Sequence, residues 1–279
     1  MAFSFSLLAG SDHVAVMGII NLSPDSFYSG NSCSNAEDAC LIAEQMIDEG
    51  AHILDLGAES TRPGSKGVSI DLQLERLVPV VSKLVREFEI PISVDTFRPE
   101  VASAVLREGA VVINDISGLR YGTEMSCIVS QYEAGIVLMH MQGIPETMQD
   151  NPNYHDIGKE VLSFLHQSVK TAEAAGINSE SIAVDPGIGF GKTLDHNLEL
   201  IKKLSQLKVL NKPILLGVSR KSFIGKILNL EVEERLEGSI AAGVAGVLNG
   251  ADILRVHDVG PTVRAVRIAQ VIREGNNQR

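Results

Sequence analysis

The feature that most constrains this fold is a regular alternation of short apolar runs with longer amphipathic segments. Eight runs rich in β-branched residues recur along the chain, and helical patterns lie between them. Sequential strand-helix units of this kind form a parallel sheet. The predicted strands are 14–21, 52–57, 91–96, 111–115, 135–140, 182–187, 213–219 and 253–257. The predicted helices include 35–50, 72–88, 155–176, 194–207, 233–249 and 261–274.

Eight such units in 279 residues predict an α/β fold, a (β/α)8 TIM barrel, as a single domain over 1–279. An open, doubly wound sheet built from the same elements is the alternative. The barrel is favoured because a polar residue stands at the end of nearly every predicted strand, and in a barrel those ends converge on one mouth.

Composition and charge exclude several classes of protein. A formal net charge of -11 argues against binding of a polynucleotide, which needs clustered Lys and Arg. No apolar run approaches the length of a membrane span, and the first residues lack a cationic signal region, so we expect a soluble cytoplasmic protein. Three cysteines without a CxxC pair predict neither a disulfide framework nor a thiolate zinc site.

Polar residues at the predicted strand ends form the candidate site. They are Asn21, Asp55, Asp95, Asn114, Asp115, His140, Asp185, Ser219, Arg220, Lys221, Arg255 and His257. Helix capping explains a single Asp or Asn in such a place, but it does not explain the Arg, Lys and His residues. Adjacent residues on a strand point to opposite sides, so at most one of Asn114 and Asp115 faces the mouth, and the pattern alone does not choose.

Two further loops bear on the ligand. The stretch "DPGIGFGKT" (185–193) fits neither a phosphate loop, because Pro186 stands at the first glycine position, nor a dinucleotide fingerprint, because Lys192 stands at the last. Positive charge gathers at the predicted mouth of an otherwise acidic chain, with Arg62 in "ESTRPGSKG" joining the cations that follow the last two strands. This predicts an anionic ligand.

Seven segments in order resemble the successive motifs of the dihydropteroate synthase family, and the resemblance covers essentially the whole chain. They are "MGIINLSPDSF", "ESTRPG", "SVDT", "INDISG", "DPGIGFGKT", "GVSRKSFIG" and "RVHD". This family joins p-aminobenzoate to 6-hydroxymethyl-7,8-dihydropterin diphosphate and releases pyrophosphate. The resemblance therefore implies a magnesium-dependent transferase of folate biosynthesis and a sulfonamide target.

The resemblance also assigns roles residue by residue. The positions that match the pterin site are Asp95, Asn114, Asp185 and Lys221, which makes Asn114 the inward residue and leaves Asp115 a structural one. The diphosphate site matches Thr61, Arg62, Arg255 and His257, with Asn21 acting through a bound Mg2+. The p-aminobenzoate site matches Phe27, Pro63, Ser219 and Arg220. Of these, Asp95, Lys221, Arg255 and His257 are the expected catalytic residues.

The chemistry implied by the family suits these residue types. An arylamine is neutral at pH 7 and needs no strong general base, and none is visible. The harder step is loss of pyrophosphate, for which the cations and Mg2+ stabilise the leaving group while Asp95 and Asp185 stabilise a cationic pterin. We therefore expect a dissociative substitution, in which pyrophosphate leaves before the amine attacks.

Two rival functions share parts of this pattern. A pterin-binding barrel that transfers a methyl group shares the Asp, Asn and Asp set, but it has no need of Arg62, Arg255 and His257 around a diphosphate. A catalytically silent binding subunit would keep the fold without the full polar set. The family is commonly a homodimer through late helices, and "SIAAGVAGVLNGA" permits close helix packing there.

The first loop departs from the family pattern. It reads "SPDSFYSGN" where the family usually has "TPDSFSDGG", so Tyr28, Ser29 and Asn31 differ. Both this loop and the "STRPG" loop are rich in Gly, Ser and Pro, and we expect them to become ordered when both substrates bind.

Overall fold

Eight parallel strands alternate with helices in this chain. The computed structural model describes residues 2–9, 13–22, 33, 35–59, 65 and 67–274. The strands are β1 (Ala15–Asn21), β2 (Ile53–Gly57), β3 (Ile92–Asp95), β4 (Val112–Asp115), β5 (Gly135–Met139), β6 (Ile182–Asp185), β7 (Leu215–Leu216) and β8 (Ile253–Val256). The helices are α1 (Ala36–Asp48), α2 (Ile70–Glu87), α3 (Pro99–Arg107), α4 (Glu124–Gln131), α5 (Ile157–Ala174), α6 (Leu194–Lys202), α7 (Ser222–Leu228), α8 (Leu236–Leu248) and α9 (Val259–Glu274).

The sheet closes into a barrel. Hydrogen-bonded neighbours run in the order β6-β5-β4-β3-β2-β1-β8-β7. The two ends of this order meet because Val184 of β6 forms a parallel bridge with Ile214, and its N–H donates to the Pro213 carbonyl at 2.9 Å. The predicted (β/α)8 barrel is therefore confirmed, and an open doubly wound sheet is not formed.

The predicted elements agree with the structure in type and differ at their ends. All eight strands lie within their predicted ranges, although β7 is only two residues long because the chain turns out of the sheet at Gly217. Helix α6 ends at Lys202, and a 3-10 helix at Leu204–Leu210 completes the predicted segment. The predicted helices did not include α3, α4 and α7, which are nine, eight and seven residues long.

Alternation along the strands divides the barrel interior into an apolar floor and a polar mouth. The floor is a buried cluster that includes Met17, Ile53, Val137 and Leu215, and Phe5 of the N-terminal segment, which is fully buried, packs with it. On β2, β4, β6 and β8 the inward position two residues further along is polar, since side chains of one face recur every second residue. A larger aliphatic cluster joins the outer faces of the strands to the helices.

Candidate active site

The mouth of the barrel carries a layer of charged and amide side chains from strands β2, β3, β4, β6 and β8. Strand register puts them side by side, with Gly57 opposite Asp95, Asp95 opposite Asn114, and Met139 opposite Asp185. Asn114 and Asp185 each follow an inward apolar residue by two, and Asp95 follows Ser93, whose hydroxyl also points inward to Asp55. The sequence therefore places Asp95, Asn114 and Asp185 at one level because the strands share the same alternation and direction.

Arg255 connects two carboxylates across this layer. Its Nε donates to Asp55 Oδ2 at 2.6 Å, and its Nη2 donates to Asp95 Oδ2 at 3.1 Å. Its Nη1 forms no hydrogen bond with any residue in the described part of the chain. One guanidinium thus holds two strands in register and keeps a donor group for a further acceptor.

Asp55 is the hub beneath the layer. It is fully buried and accepts hydrogen bonds from Ser93 Oγ at 2.6 Å and from Asn114 Nδ2 at 3.1 Å, in addition to Arg255. Because one N–H of the Asn114 amide is occupied in this way, its orientation at the mouth is fixed. Asp55 stood among the strand ends in the sequence, but the family resemblance gave it no role.

Asn114 and Asp115 point to opposite sides of β4. The Asp115 carboxylate accepts the Ser117 N–H and the Leu119 N–H, both at 2.8 Å, and so it closes the turn after the strand. Its pKa is raised by burial. Asn114 is the inward residue, as the resemblance implied, and Asp115 is structural.

Burial acts on the pKa of two carboxyls at the mouth, Asp95 and Asp185. Burial raises the pKa of Asp95 to about 7, with Arg255 opposing the shift and the charge of Asp55 adding to it. Burial also raises the pKa of Asp185, against the opposing charge of Lys221 and the hydrogen bond from the Gly187 N–H at 2.7 Å. Water is largely excluded from this layer, so charges act strongly on whatever binds there.

Lys221 reaches the mouth from the loop after β7. Its Nζ donates to the Ile188 carbonyl and lies 4.7 Å from the centroid of the Phe190 ring. Burial lowers the pKa of Lys221 to about 8, with Asp185 opposing the shift and Arg255 adding to it. Both contacts of the ammonium come from the glycine-rich loop after β6, which the sequence showed only as a turn.

Ser219 and His257 form a contact between the loops after β7 and β8. The distance from Ser219 Oγ to His257 Nδ1 is 2.9 Å, and the His257 N–H donates to the same hydroxyl at 3.2 Å. The imidazole is thereby held in one orientation, on the loop that directly follows Arg255.

The Arg220 guanidinium binds to groups of the protein itself. It forms a two-bond pair with Asp258, with Nε–Oδ2 at 2.9 Å and Nη2–Oδ1 at 2.8 Å, and its Nη1 donates to the carbonyls of Val232 and Glu233. Its backbone has a φ of 55°, in the left-handed region that only glycine adopts at ease. We therefore assign the Arg220 side chain to support of the β7 loop, whereas the resemblance implied a contact with p-aminobenzoate.

Several predicted site residues lie outside the described part of the chain. They are Phe27, Thr61, Arg62 and Pro63, together with the divergent loop residues Tyr28, Ser29 and Asn31. Their roles stay predictions from the resemblance. The described residue Leu22 directly follows β1, and Ala58 and Glu59 follow β2.

Asn21 is the candidate magnesium ligand. It is the last residue of β1, opposite Gly57 of β2, where a Cβ would lie 4.0 Å from Asn21 Oδ1. Among the described residues, no three His, Cys, Asp or Glu side chains are grouped so as to hold a metal ion. Mg2+ needs no such group, because it is commonly bound by one or two protein oxygens, waters and substrate phosphates. An amide oxygen at an anion-binding mouth fits that coordination.

Sequence reasoning missed three residues of this region. Asp55 and His140 were visible as polar strand ends without a role, and Lys192 was used only to reject nucleotide motifs. Lys192 is buried with its Nζ 3.0 Å from His140 Nδ1. Only their contacts in the folded protein distinguish such residues from helix-capping residues, and no sequence pattern reveals those contacts.

Comparison with known proteins identifies the family. The model of the pterin binding enzymes matches residues 17–257. Dihydropteroate synthase of Escherichia coli K12 is 45% identical over 260 residues, 92% of this chain and 91% of that protein. The crystal structure of Yersinia pestis dihydropteroate synthase with a sulfonamide drug complex superposes with a TM-score of 0.90 at 40% identity, over 94% of each chain. The Burkholderia cenocepacia enzyme complexed with 7,8-dihydropteroate gives a TM-score of 0.85 at 39% identity, over 96% of this chain and 95% of that one.

These relatives are matched over nearly their full length, and they share the barrel whose mouth holds the charged layer. The chain belongs to the pterin-binding enzymes and, within them, to the dihydropteroate synthases, the transferases that form dihydropteroate in folate biosynthesis.

Proposed function

We propose that the mouth of this barrel binds a pterin diphosphate and p-aminobenzoate together and joins them after pyrophosphate has left. The observation that carries the proposal is the single polar layer in which Arg255 bridges Asp55 and Asp95. Asn114, Asp185 and Lys221 stand at the same mouth. The layer offers acceptors for a heterocycle and donors for an anion.

The hydrogen-bond acceptors of the layer would bind the pterin. A pterin presents an amino group and a ring N–H along one edge, which match the carboxylates of Asp95 and Asp185, and Asn114 supplies an amide with one N–H already fixed by Asp55. Lys221 donates to the opposite side of the ring system. These pairings are charge-assisted in a dry site, which makes them strong and selective.

The hydrogen-bond donors of the layer would bind the diphosphate. Arg255 of β8 offers its Nη1, and His257 directly follows the end of that strand, oriented by Ser219. Asn21 would hold Mg2+ together with the substrate's phosphate oxygens, and the bound ion would neutralise charge on the departing pyrophosphate. Thr61 and Arg62 would add to this side from the second loop.

The bond between the pterin methylene carbon and the diphosphate oxygen breaks first, and the electron pair leaves with pyrophosphate. Arg255 and His257 stabilise the growing negative charge. Asp95 and Asp185 stabilise the positive charge left on the pterin. The amine lone pair of p-aminobenzoate then forms the new C–N bond, and the nitrogen loses one proton, which needs no dedicated base because an arylammonium is strongly acidic.

The p-aminobenzoate site adjoins Lys221. Phe190 lies beneath the ammonium and offers an apolar wall, and Ser219 stands on the β7 loop. Phe27 and Pro63 would complete the site from the first and second loops. The Yersinia pestis enzyme has been crystallised with a sulfonamide drug complex, and we propose that sulfonamides compete with p-aminobenzoate for this place.

A homodimer is the proposed assembly. The face that supports it comprises Ile268, Val271 and Ile272 on α9 and Leu248 on α8, whose exposed fractions are 65%, 63%, 64% and 44%. The three α9 residues share one side of the helix, since they are three and four positions apart. Sedimentation of the purified protein tests this assembly.

A cytoplasmic location also stays a proposal. Among the described helices, none combines the length and the apolar character that crossing a membrane requires. Fractionation of the source cells tests the location.

The decisive experiment incubates the protein with both substrates and Mg2+ and measures dihydropteroate by mass spectrometry. Formation of one dihydropteroate for each pyrophosphate released is expected. Methyl transfer from a reduced folate to a corrinoid, without dihydropteroate, would support the methyltransferase alternative. Pterin binding with no turnover at saturating substrates would support a silent subunit.

A further inference from the structure

Lys192 is a buried charge-bearing residue that the proposed mechanism does not use. Its side chain is 3% exposed. Its Nζ lies 3.0 Å from His140 Nδ1 and donates to the His140 carbonyl at 3.3 Å and to the Phe190 carbonyl at 2.9 Å. No carboxylate is bonded to it among the described residues. A buried lysine without such a partner requires a specific reason to be there.

The three acceptors define the form of this amine. An ammonium has three N–H bonds, one for each acceptor, whereas a neutral amine would leave one acceptor without a proton. Burial pulls the pKa of Lys192 downward and Asp185 opposes this, and the geometry favours the charged form. Burial and the neighbouring Lys192 lower the pKa of His140, so the imidazole is neutral, and in the tautomer protonated at Nε2 its Nδ1 accepts the third N–H of Lys192.

The segment that Lys192 holds is the loop of residues 186–192. Three other residues hold this loop: Gln149 donates to the Gly189 carbonyl at 2.7 Å, Asn197 Oδ1 accepts the Gly189 N–H at 2.7 Å, and the Tyr154 hydroxyl donates to the Gly191 carbonyl at 2.8 Å. Lys192 ties the inner side, where the loop meets the end of β5. There a Cβ on Gly187 would lie 1.9 Å from the His140 carbonyl oxygen, so the packing is close.

Lys221 depends on the same loop. Both of its direct contacts come from it, the Ile188 carbonyl and the Phe190 ring. Phe190 is also the residue whose carbonyl oxygen Lys192 holds. The two lysines therefore lie on opposite sides of one short loop. Lys192 anchors the loop, and Lys221 packs against it.

We infer that Lys192 is a positioning residue for the proposed reaction: anchored to His140, its ammonium fixes the 186–192 loop so that Phe190 and the Ile188 carbonyl hold Lys221 against the pterin. The inference rests on the proposed function. It also implies that Lys192 keeps a second positive charge close to Lys221 and Asp185.

The charged groups around both lysines determine how the pKa of Lys221 would respond to substitution of Lys192. Those that act on Lys192 are Asp185, His140, Arg120 and Lys221. Those that act on Lys221 are Asp185, Arg255 and Asp95. Removing Lys192 loosens the loop that keeps Lys221 out of water. Because burial is the main cause that lowers the pKa of Lys221, hydration would raise that pKa from about 8.

The test compares pH profiles of kcat/KM for the pterin diphosphate in wild type and Lys192→Met. The profile reports groups of the free enzyme and substrate, and substrate ionisation is the same for every variant. We expect kcat/KM to fall by about ten-fold or more at pH 7, and the alkaline limb to move upward by about half a pH unit or more.

Lys212 offers a matched control. It is also a buried lysine, 5% exposed, whose Nζ donates to Glu173 Oε1 at 2.8 Å and to the Ser179 carbonyl at 2.9 Å, but it lies before β7 at the closed end of the barrel. Lys212→Met should lower Tm and leave the alkaline limb where wild type has it. His140→Phe serves if Lys192→Met does not fold, because it keeps the ring beside Phe164 and removes one acceptor.

Each outcome decides a separate question. An alkaline limb that coincides with wild type in folded Lys192→Met or His140→Phe overturns the inference, whatever happens to Tm. An equal shift in Lys212→Met also overturns it, because the effect would then follow from instability. Wild-type protein that forms no dihydropteroate refutes the proposed function instead.

Discussion

Asp55→Asn tests the central ion pair of the mouth. Asp55 is fully buried and accepts three hydrogen bonds, from Ser93 at 2.6 Å, Asn114 at 3.1 Å and Arg255 at 2.6 Å. An amide keeps one oxygen, which can accept from Asn114 and Arg255 at the Oδ2 position, and it turns the other atom into an NH2 group that faces the Ser93 hydroxyl. The substitution thus removes the charge and leaves the buried end of the Arg255 guanidinium without its carboxylate partner.

The size of the effect follows from the pair that is broken. Removing one partner of a buried ion pair costs about 3–5 kcal/mol. Arg255 is 21% exposed and keeps Asp95 at 3.1 Å, so we expect the low end of that range. A loss of about 3 kcal/mol in the free energy of unfolding corresponds to a fall in Tm of roughly 6 °C in a chain of this size.

The same substitution should make Asp95 easier to ionise. The charge of Asp55 raises the pKa of Asp95, and the charge of Arg255 lowers it. The variant lacks the charge of Asp55, and Arg255 then has Asp95 as its remaining carboxylate partner. The acidic limb of kcat/KM for the pterin diphosphate should therefore move down by about one pH unit although the protein is less stable.

Urea unfolding and pH profiles measure the two effects. Ser93→Ala is the matched control, because it removes one donor to Asp55 and keeps the charge; it should cost about 1–2 kcal/mol and leave the acidic limb unchanged. A variant Asp55→Asn with wild-type stability, or with an acidic limb that stays or moves upward, would refute this account of the mouth.

Three further predictions concern the same layer. Asp95→Asn should lower kcat far more than it weakens binding of pyrophosphate, as single-turnover kinetics and calorimetry will show; equal losses would remove its assigned role. Gly187→Ala should cost about 3 kcal/mol or more in urea unfolding, because φ is 70° there and the new Cβ would lie 1.9 Å from the His140 carbonyl oxygen. The raised pKa of Asp95, about 7 against an ordinary 3.8, means that the folded state binds the extra proton. Its contribution should favour folding below pH 4 and be lost as pH rises through 7, an effect that Asp95→Asn removes from a stability profile between pH 5 and 8.

The amino-acid sequence by itself determined the type and order of the elements. Repeated strand and helix periods predicted the barrel, and the polar residue at each strand end marked the mouth, because in parallel strands inward positions of equal depth share the same phase. The motifs then identified the family and with it the choice of Asn114 over Asp115. Strand β7 shows the limit of the pattern, since an apolar run of seven residues forms only two residues of sheet.

Tertiary structure alone decided which side chain serves which purpose. Arg220 and Lys221 are neighbours in a single motif, yet Arg220 pairs with Asp258 and Lys221 packs on Phe190, because the left-handed backbone of Arg220 turns the chain at that point. Asp55 connects Ser93, Asn114 and Arg255, and Lys192 anchors the 186–192 loop to His140, only through contacts with residues far along the chain. Burial and long-range contact set the partners and the pKa of each ionisable group, and neither is encoded in local spacing.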